Sequence, residues 1–287
     1  MNVTKRPLFP PRFPNQKLLL GHVAVALLSF ALLSFCQTTP KKTADQIVDA
    51  NIKAVGGGRA WLNLKSVYEK GHWKGTWVIF VRTLAEFPAD DPFELRAERP
   101  GKLFVTFETR QGQRTNICDG NGNASVKGPP FGLTQVKAAG SVARWCGGPL
   151  VLDSLLWRGL AWKVSLKGHT KIHGSEAWIL QVSLPTGGSE LHYFDARTGL
   201  RVRSELEPPL CGLPLGIPIG NAGFKCVVDY SDYRDVNGLK FPFKISSHPS
   251  IAVEKEATTI IDEVLVNIPI DETVFGSQTP AGKANQN

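Results

Sequence analysis

The residues that could do acid–base or metal chemistry are the histidines after residue 36 and several aspartates near predicted strand ends. His169 and His173 stand four residues apart, a spacing that presents two metal ligands on one face only in a helix. Gly168 and Gly174 bracket this pair between two predicted strands, so the spacing favours ordinary strand and turn positions. The aspartates occur where a carboxylate has a local hydrogen-bonding role, at Asp195, Asp229, Asp232 and Asp235.

The usual signatures of catalysis are missing from the sequence. It contains no serine in a nucleophile elbow, and no glycine-rich loop followed by a lysine that would hold a phosphate. A hydrolase would have to rely on His192 and Asp195. We therefore expect a non-catalytic protein without cofactor or metal, with a hydrolase as the less favoured alternative.

The clearest structural signal is a hairpin predicted at residues 226–245. Asn237-Gly238 separates two alternating runs and favours a type I′ turn, because both residues tolerate a positive φ. The outgoing strand places Leu239, Phe241 and Phe243 on one face. Burying side chains of this size is worth roughly 1.5–3 kcal/mol each, so the strand needs a large apolar surface to face.

The rest of the chain predicts a wide sheet with a few helices. Thr43 and Gln46 form a capping box that begins a short amphipathic helix, which glycines 56–58 end. About eleven short strands follow, and a sheet of that width curls. Residues 133–144 and 150–156 break the alternation and could be short helices. The expected fold class is mainly β (α+β), a strongly curved antiparallel half-barrel with short helices plugging the concave side.

Such a curved sheet encloses more volume than a few short helices fill, so we expect an apolar hollow on its concave side. A dry core would explain the same apolar pattern equally well. The residues expected to contact a ligand in the hollow are Trp77, Phe107, Trp178, Leu180, Phe241 and Phe243.

Residues 207–225 interrupt the regular succession of predicted hairpins along the chain. They include four prolines and four glycines, so a regular strand or helix is excluded, yet they are rich in leucine and isoleucine. The segment is either a loop packed on the rim of the sheet or a lid or partner surface. The lid candidates are Leu210, Leu213, Leu215 and Ile217.

Residues 1–36 predict an export signal, with a basic start and an uncharged apolar run. Cys36 at its end is open to three interpretations: lipidation, cleavage by signal peptidase, or retention of the run as a membrane anchor. Each places the remainder outside the cytoplasm. Setting aside the four basic residues of the leader leaves 29 basic and 25 acidic residues, which is too weak a balance to argue for nucleic acid.

The later cysteines form an even set, as expected for an oxidising compartment. Among three possible connectivities we favour Cys118–Cys146 and Cys211–Cys226; free buried thiols are the alternative. The domain is expected to span residues 37–276, followed by a disordered polar tail at 277–287.

Six short motifs stand in order over nearly the whole mature chain. They are A-V-G-G at 54–57, E-R-P-G-K at 98–102, C-D-G-N-G at 118–122, L-H-Y-F-D-A-R-T-G-L at 191–200, D-Y-R-D-V-N-G-L-K-F-P at 232–242 and V-N-I-P-I-D-E-T-V-F at 266–275. Together they resemble the bacterial outer-membrane lipoprotein-sorting family with the LolA/LolB-like fold. The resemblance implies a half-open curved antiparallel sheet that holds lipid acyl chains in its hollow, with helices as a plug. The segment after the D-G-N-G turn and the loop containing Cys211 depart from the family pattern, and no lid-contacting arginine can be assigned.

The leading hypothesis is a non-catalytic carrier or binder of lipids or lipoprotein acyl chains, in the periplasm or associated with the outer membrane. Cys36 or an uncleaved leader would attach it to a membrane. The alternative is an envelope sensor or scaffold that binds a partner polypeptide through the apolar loop.

Overall fold

The computed structural model describes residues 42–81, 83–129, 134–137, 146, 148–185, 187–206, 226–249 and 256–276. At residues 77–81, 83–87, 134–137 and 249 it describes the backbone alone. The expectations for the leader, for Cys36, for the loop at 207–225 and for the tail at 277–287 therefore fall outside the described residues.

Thirteen antiparallel strands of the described residues form one sheet. The order is β6-β5-β4-β3-β2-β1-β13-β12-β11-β10-β9-β8-β7. Paired strands are consecutive in sequence except β1 and β13, and the consecutive strands β6 and β7 form the two edges of the sheet. The order has two ends, so the sheet is open and not a closed barrel. The strands are β1 Ser66–Val81, β2 Thr83–Glu98, β3 Lys102–Thr109, β4 Gly112–Asp119, β5 Asn123–Lys127, β6 Thr134–Lys137, β7 Val164–Ile172, β8 Ser175–Ser183, β9 Ser189–Asp195, β10 Arg201–Leu206, β11 Cys226–Val236, β12 Leu239–Pro249 and β13 Ala257–Val266.

Three short helices lie among the described residues: α1 Ala44–Ala54, α2 Gly58–Leu62 and α3 Asp153–Gly159. The predicted capping box is confirmed, since Thr43 Oγ1 accepts from Gln46 N at 3.2 Å and Gln46 Oε1 accepts from Thr43 N at 2.9 Å. Two 3-10 turns complete the list, at Gly148–Leu150 and Glu272–Phe275.

The predicted hairpin is also confirmed. Val236 of β11 pairs with Leu239 of β12, and the intervening Asn237 and Gly238 have φ of 52° and 84°. Asp235 Oδ1 accepts a hydrogen bond from Gly238 N at 2.9 Å, which closes the turn. A local turn signal is therefore enough to position the two strands.

The sheet has thirteen strands, close to the expected number of about eleven. One detail of the predicted fold is wrong. The prediction of a helix at 133–144 is wrong for the start of that range, because Thr134–Lys137 forms the strand β6 and pairs with β5. The helix expected at 150–156 exists but begins later, as α3.

The buried core lies on one face of the sheet, which we call the inner face. A first cluster of apolar side chains spans β1–β5, β12 and β13 and includes Trp61 of α2. A second cluster joins α1 and α3 to β8 and β9. The predicted disulfide Cys118–Cys146 is confirmed, with Cα atoms 5.6 Å apart, and both cysteines belong to the first cluster. Helices and disulfide thus cover the face on which the hollow was expected.

Candidate functional site

Three of the predicted ligand-contacting residues lie together in the first cluster. Phe107 of β3 has no exposed surface, and Phe241 and Phe243 of β12 are buried. The Phe241 ring lies 5.3 Å from the ring of Trp61, and the Phe107 ring lies 5.9 Å from that of Phe93. The sequence therefore predicted the correct face for all three, and their contact with a ligand stays a prediction.

The second cluster contains Trp178 and Leu180, both buried on β8. They pack with Ile47 of α1 and Trp157 of α3. The structure thus places the predicted residues in two separate clusters and does not bring them to one spot.

The other predicted site residues fall outside what the structure describes. The backbone of Trp77 pairs with Phe87 within the β1–β2 hairpin, but its side chain is not among those described. Cys226 is buried at the start of β11, and its proposed partner Cys211 lies outside the described residues, so that disulfide stays a prediction. The same holds for the lid candidates Leu210, Leu213, Leu215 and Ile217 and for the lipidation candidate Cys36.

A chain of buried polar contacts holds α1 and α3 to the sheet. Ser154 Oγ donates to Asn51 Oδ1 at 2.7 Å, and Asn51 Nδ2 donates to Gly199 O at 2.9 Å. Arg201 of β10 forms an ion pair with Asp153 at the start of α3. These contacts fix the helices at a few points, while the rest of their attachment is apolar packing.

Arg99 holds α2 and the first 3-10 turn in the same way. Its Nε donates to Leu64 O at 2.8 Å, and its Nη2 donates to Trp61 O at 3.2 Å and to Leu150 O at 2.9 Å. One guanidinium therefore joins three carbonyl groups at the edge of the first cluster.

A buried trio under α3 has the connectivity of a catalytic triad. His192 Nδ1 lies 2.9 Å from Ser204 Oγ, and His192 Nε2 lies 3.1 Å from Glu190 Oε2. None of the three residues has exposed surface, and the Trp157 ring covers the imidazole at 4.7 Å between centroids. Burial lowers the pKa of His192, against the opposing effect of Glu190. The enclosed Ser204 hydroxyl cannot meet a substrate, so the trio stabilises the core.

The other candidates for chemistry have structural roles. Asp195 Oδ1 accepts hydrogen bonds from Arg197 N and Thr198 N, as expected for a turn aspartate. His169 lies in β7 and His173 in the turn that follows, at a φ of 48°, so the interpretation as strand and turn positions is confirmed. Within the described ranges, no group of three or more His, Cys, Asp or Glu residues is arranged to hold a metal ion.

Sequence reasoning did not single out Glu69, which lies on the inner face of β1. Its partners across the ladders are Leu95 on β2 and Val264 on β13, and the residue is only 7% exposed. Burial alone raises the pKa of this carboxyl to about 7. A signal was present in the sequence, because Glu69 has the same strand parity as Trp73 and Trp77.

Further polar residues share this inner face. Arg114 and Asn116 of β4 are buried beside the rows that contain Phe107 and Val105, and burial lowers the pKa of Arg114 to about 10. Asp91 of β2 is buried opposite Trp73 in the next row. The inner face is therefore apolar with a few charged positions.

One open groove of about 520 Å³ lies on the opposite, outer face of β1–β4. Its lining mixes charges of both signs, from Lys70, Glu94 and Arg96, with the Phe104 ring. The Arg96 guanidinium lies 5.6 Å from that ring. This polar groove differs from the apolar hollow that the sequence predicted.

Solved structures with the same fold were found by comparison. The LolA superfamily protein NE2245 from Nitrosomonas europaea matches with a TM-score of 0.52 and 10% identity, over 82% of this chain and 98% of that one. A DUF1329 family protein from Desulfovibrio piger matches with a TM-score of 0.50 and 9% identity, over 81% of this chain and 97% of that one. No protein-family model matches the sequence, and no curated protein does. The predicted LolA-like fold is confirmed, and at these identities the similarity shows the fold alone.

None of the helices in the described ranges has the length and apolar character needed to cross a membrane.

Proposed function

We propose that this protein binds lipids or lipoprotein acyl chains on the inner face of its sheet, as a non-catalytic carrier. The observation that carries the proposal is the continuity of that face, because apolar residues stand in register across six neighbouring strands. The lowest such row is Ala124, Cys118, Leu103, Ala97, Val67 and Val266. An open sheet whose inner face is mostly apolar is a suitable surface for a hydrocarbon chain.

The energy available from hydrocarbon burial is sufficient. Each buried methylene contributes about 0.8 kcal/mol, so one long acyl chain offers on the order of 10 kcal/mol before the costs of association. The protein needs no metal or reactive side chain for such binding.

A carrier role is favoured over hydrolysis because the triad-like trio among the described residues is enclosed. Ser204, His192 and Glu190 have no exposed surface, and α3 lies over them. Export through the leader and attachment through Cys36 or an uncleaved leader belong to the same proposal and rest on the sequence of residues 1–36. A position in the periplasm or at the outer membrane also belongs to it and rests on the resemblance to the lipoprotein-sorting family.

The proposal is tested by blocking the inner face. Ala89 of β2 packs at the edge of the first cluster, and Ala89→Trp would place an indole where the chain would lie. Lys244→Trp, on the exposed outer side of β12, is the matched control. Delipidated wild-type protein should bind a fluorescent acyl-chain probe with an uncharged head group, the blocking variant should bind about tenfold more weakly or worse, and the control should bind like wild type.

Two results would count against the proposal in different ways. Absence of binding by the wild type would contradict acyl-chain binding itself. Equal binding by wild type and Ala89→Trp would place the chain elsewhere. Phe243→Asp is a second probe: it should abolish lipid retention or folding, because it buries a charge in the first cluster.

A further inference from the structure

Glu69 is a buried carboxyl without a protein partner among the described residues. No hydrogen bond or ion pair to its side chain occurs there, and burial is the only influence on its ionisation. Other buried or half-buried carboxyls differ, since Glu190 contacts His192 and Asp229 pairs with Arg203. A polar group in an apolar environment costs free energy unless something satisfies it.

The neighbouring cation cannot reach Glu69. Lys70 follows it in β1 and therefore points to the outer face, where its Nζ lies 3.1 Å from Glu263 Oε2. The neighbours across the ladders, Leu95 and Val264, are apolar. The carboxyl therefore lies buried on the inner face, and no cation of the described chain neutralises it.

We infer that Glu69 is the polar contact for the bound molecule, and that this molecule is an amphiphile whose protonated amine pairs with the Glu69 carboxylate. The inference rests on the proposed function, because the hydrocarbon part would pack on the same apolar rows. It adds a chemical class of ligand that the fold does not specify.

An amine fits better than the other common head groups. An ionised carboxylate only accepts hydrogen bonds, and an ammonium supplies three donors together with the opposite charge. A hydroxyl supplies one neutral donor and forms a weaker contact. A ligand carboxylate would repel Glu69 in a surrounding of low dielectric, where electrostatic effects are strongest.

Among the charged residues of the inner face, Glu69 is the one that would determine the preference for an amine head group. Two other charged residues lie on the inner face of this part of the sheet. Asp91 on β2 lies in a different row, opposite Trp73, and Arg114 lies on β4, which β2 and β3 separate from β1. Neither contributes to the ionisation of Glu69, since burial alone raises its pKa to about 7. The inner-face residues of β13, including Ile261 and Val264, carry no charge.

The experiment compares three ligands with the same chain: dodecylamine, dodecanol and dodecanoic acid. Each displaces a fluorescent fatty probe from the delipidated mature protein at pH 8. Wild type should bind dodecylamine roughly tenfold or more tightly than dodecanol, and dodecanoic acid most weakly. In Glu69→Gln the advantage of the amine should fall to about twofold or less. The control Glu94→Gln, on the outer side of β2, should keep it.

The wild-type protein provides a second readout that needs no variant. Because the ammonium pairs with the ionised carboxylate, binding of dodecylamine should release a proton near pH 6. Its affinity should then rise roughly tenfold between pH 6 and pH 8, while that of dodecanol changes little.

The outcomes separate the inference from the proposed function. If all three chains bind without preference, or if Glu69→Gln keeps the preference for amine, the role of Glu69 is overturned while acyl-chain binding stands. If no chain displaces the probe and the probe itself does not bind, the proposed function fails and the inference fails with it.

Discussion

Replacing Glu69 by Gln should stabilise the ligand-free protein, and the gain should grow as the pH rises. The carboxyl has a pKa of 4.5 as a model compound, and burial raises the pKa in the folded state to about 7. Between these two values the folded state holds a proton that the unfolded state has lost. The free energy of unfolding of the wild type therefore falls with increasing pH through this window, by about 1.4 kcal/mol per pH unit at most.

The size of the effect follows from the two pKa values. Between pH 5 and pH 8 the gain of Glu69→Gln over wild type should increase by about 2.5 kcal/mol, because glutamine fills the same space without ionising. Urea unfolding of delipidated protein at several pH values measures it directly. The control Glu263→Gln removes an exposed carboxylate that pairs with Lys70, so its effect should stay below about 1 kcal/mol. A constant difference between Glu69→Gln and wild type across this range would refute the assignment of a buried, unpartnered carboxyl.

Three other perturbations have defined outcomes. Trp157→Ala should lower the free energy of unfolding by about 3–5 kcal/mol, because the buried ring packs over His192 and its loss leaves a cavity; a loss below about 1 kcal/mol in urea unfolding would contradict this packing. Reduction of Cys118–Cys146 should cost about 3–4 kcal/mol in the chain-entropy view, since the bridge joins residues separated by 28 positions, and unchanged urea midpoints with and without reductant would be inconsistent with it. Arg99→Met should cost roughly 1–3 kcal/mol and should speed amide hydrogen exchange in α2, because three carbonyl contacts are lost; unchanged exchange there would exclude this tethering role.

Local signals were sufficient for the elements that depend on few residues. The turn at Asn237-Gly238 and the capping box at Thr43 and Gln46 were both predicted and found, because each depends on side-chain chemistry within about four residues. The overall fold followed from the number of such short elements. A curved sheet was the arrangement that could bury them together.

Elements that depend on distant pairing were less accessible to sequence reasoning. Residues 134–137 have little apolar alternation, and their pairing with β5 makes them a strand. Glu69 was missed for a related reason, since a glutamate in an alternating strand usually faces solvent. Its burial depends on β1 pairing with β13, which brings Val67 beside Val266 from the other end of the domain.

The candidate site was predicted in part. Phe107, Phe241 and Phe243 were placed on the correct face by strand parity, and they pack in one cluster. Parity could not show that Trp178 and Leu180 belong to a separate cluster, because that division arises from how α1 and α3 cover the sheet. Contact with a ligand is a property of the bound state and follows from neither parity nor burial.

The measurement that tests the central claim most directly is the identification of lipid carried by the exported protein. Protein purified from its native host without detergent is extracted into organic solvent, and the extract is analysed by mass spectrometry beside the Ala89→Trp variant. The account predicts acyl-chain lipids in the wild-type extract and their depletion from the extract of the blocked variant. If the Glu69 carboxylate pairs with the ligand's amine, lipids that carry an amine should be enriched. Repeated wild-type extracts without lipid, from protein that is folded and binds no added chain, would contradict it.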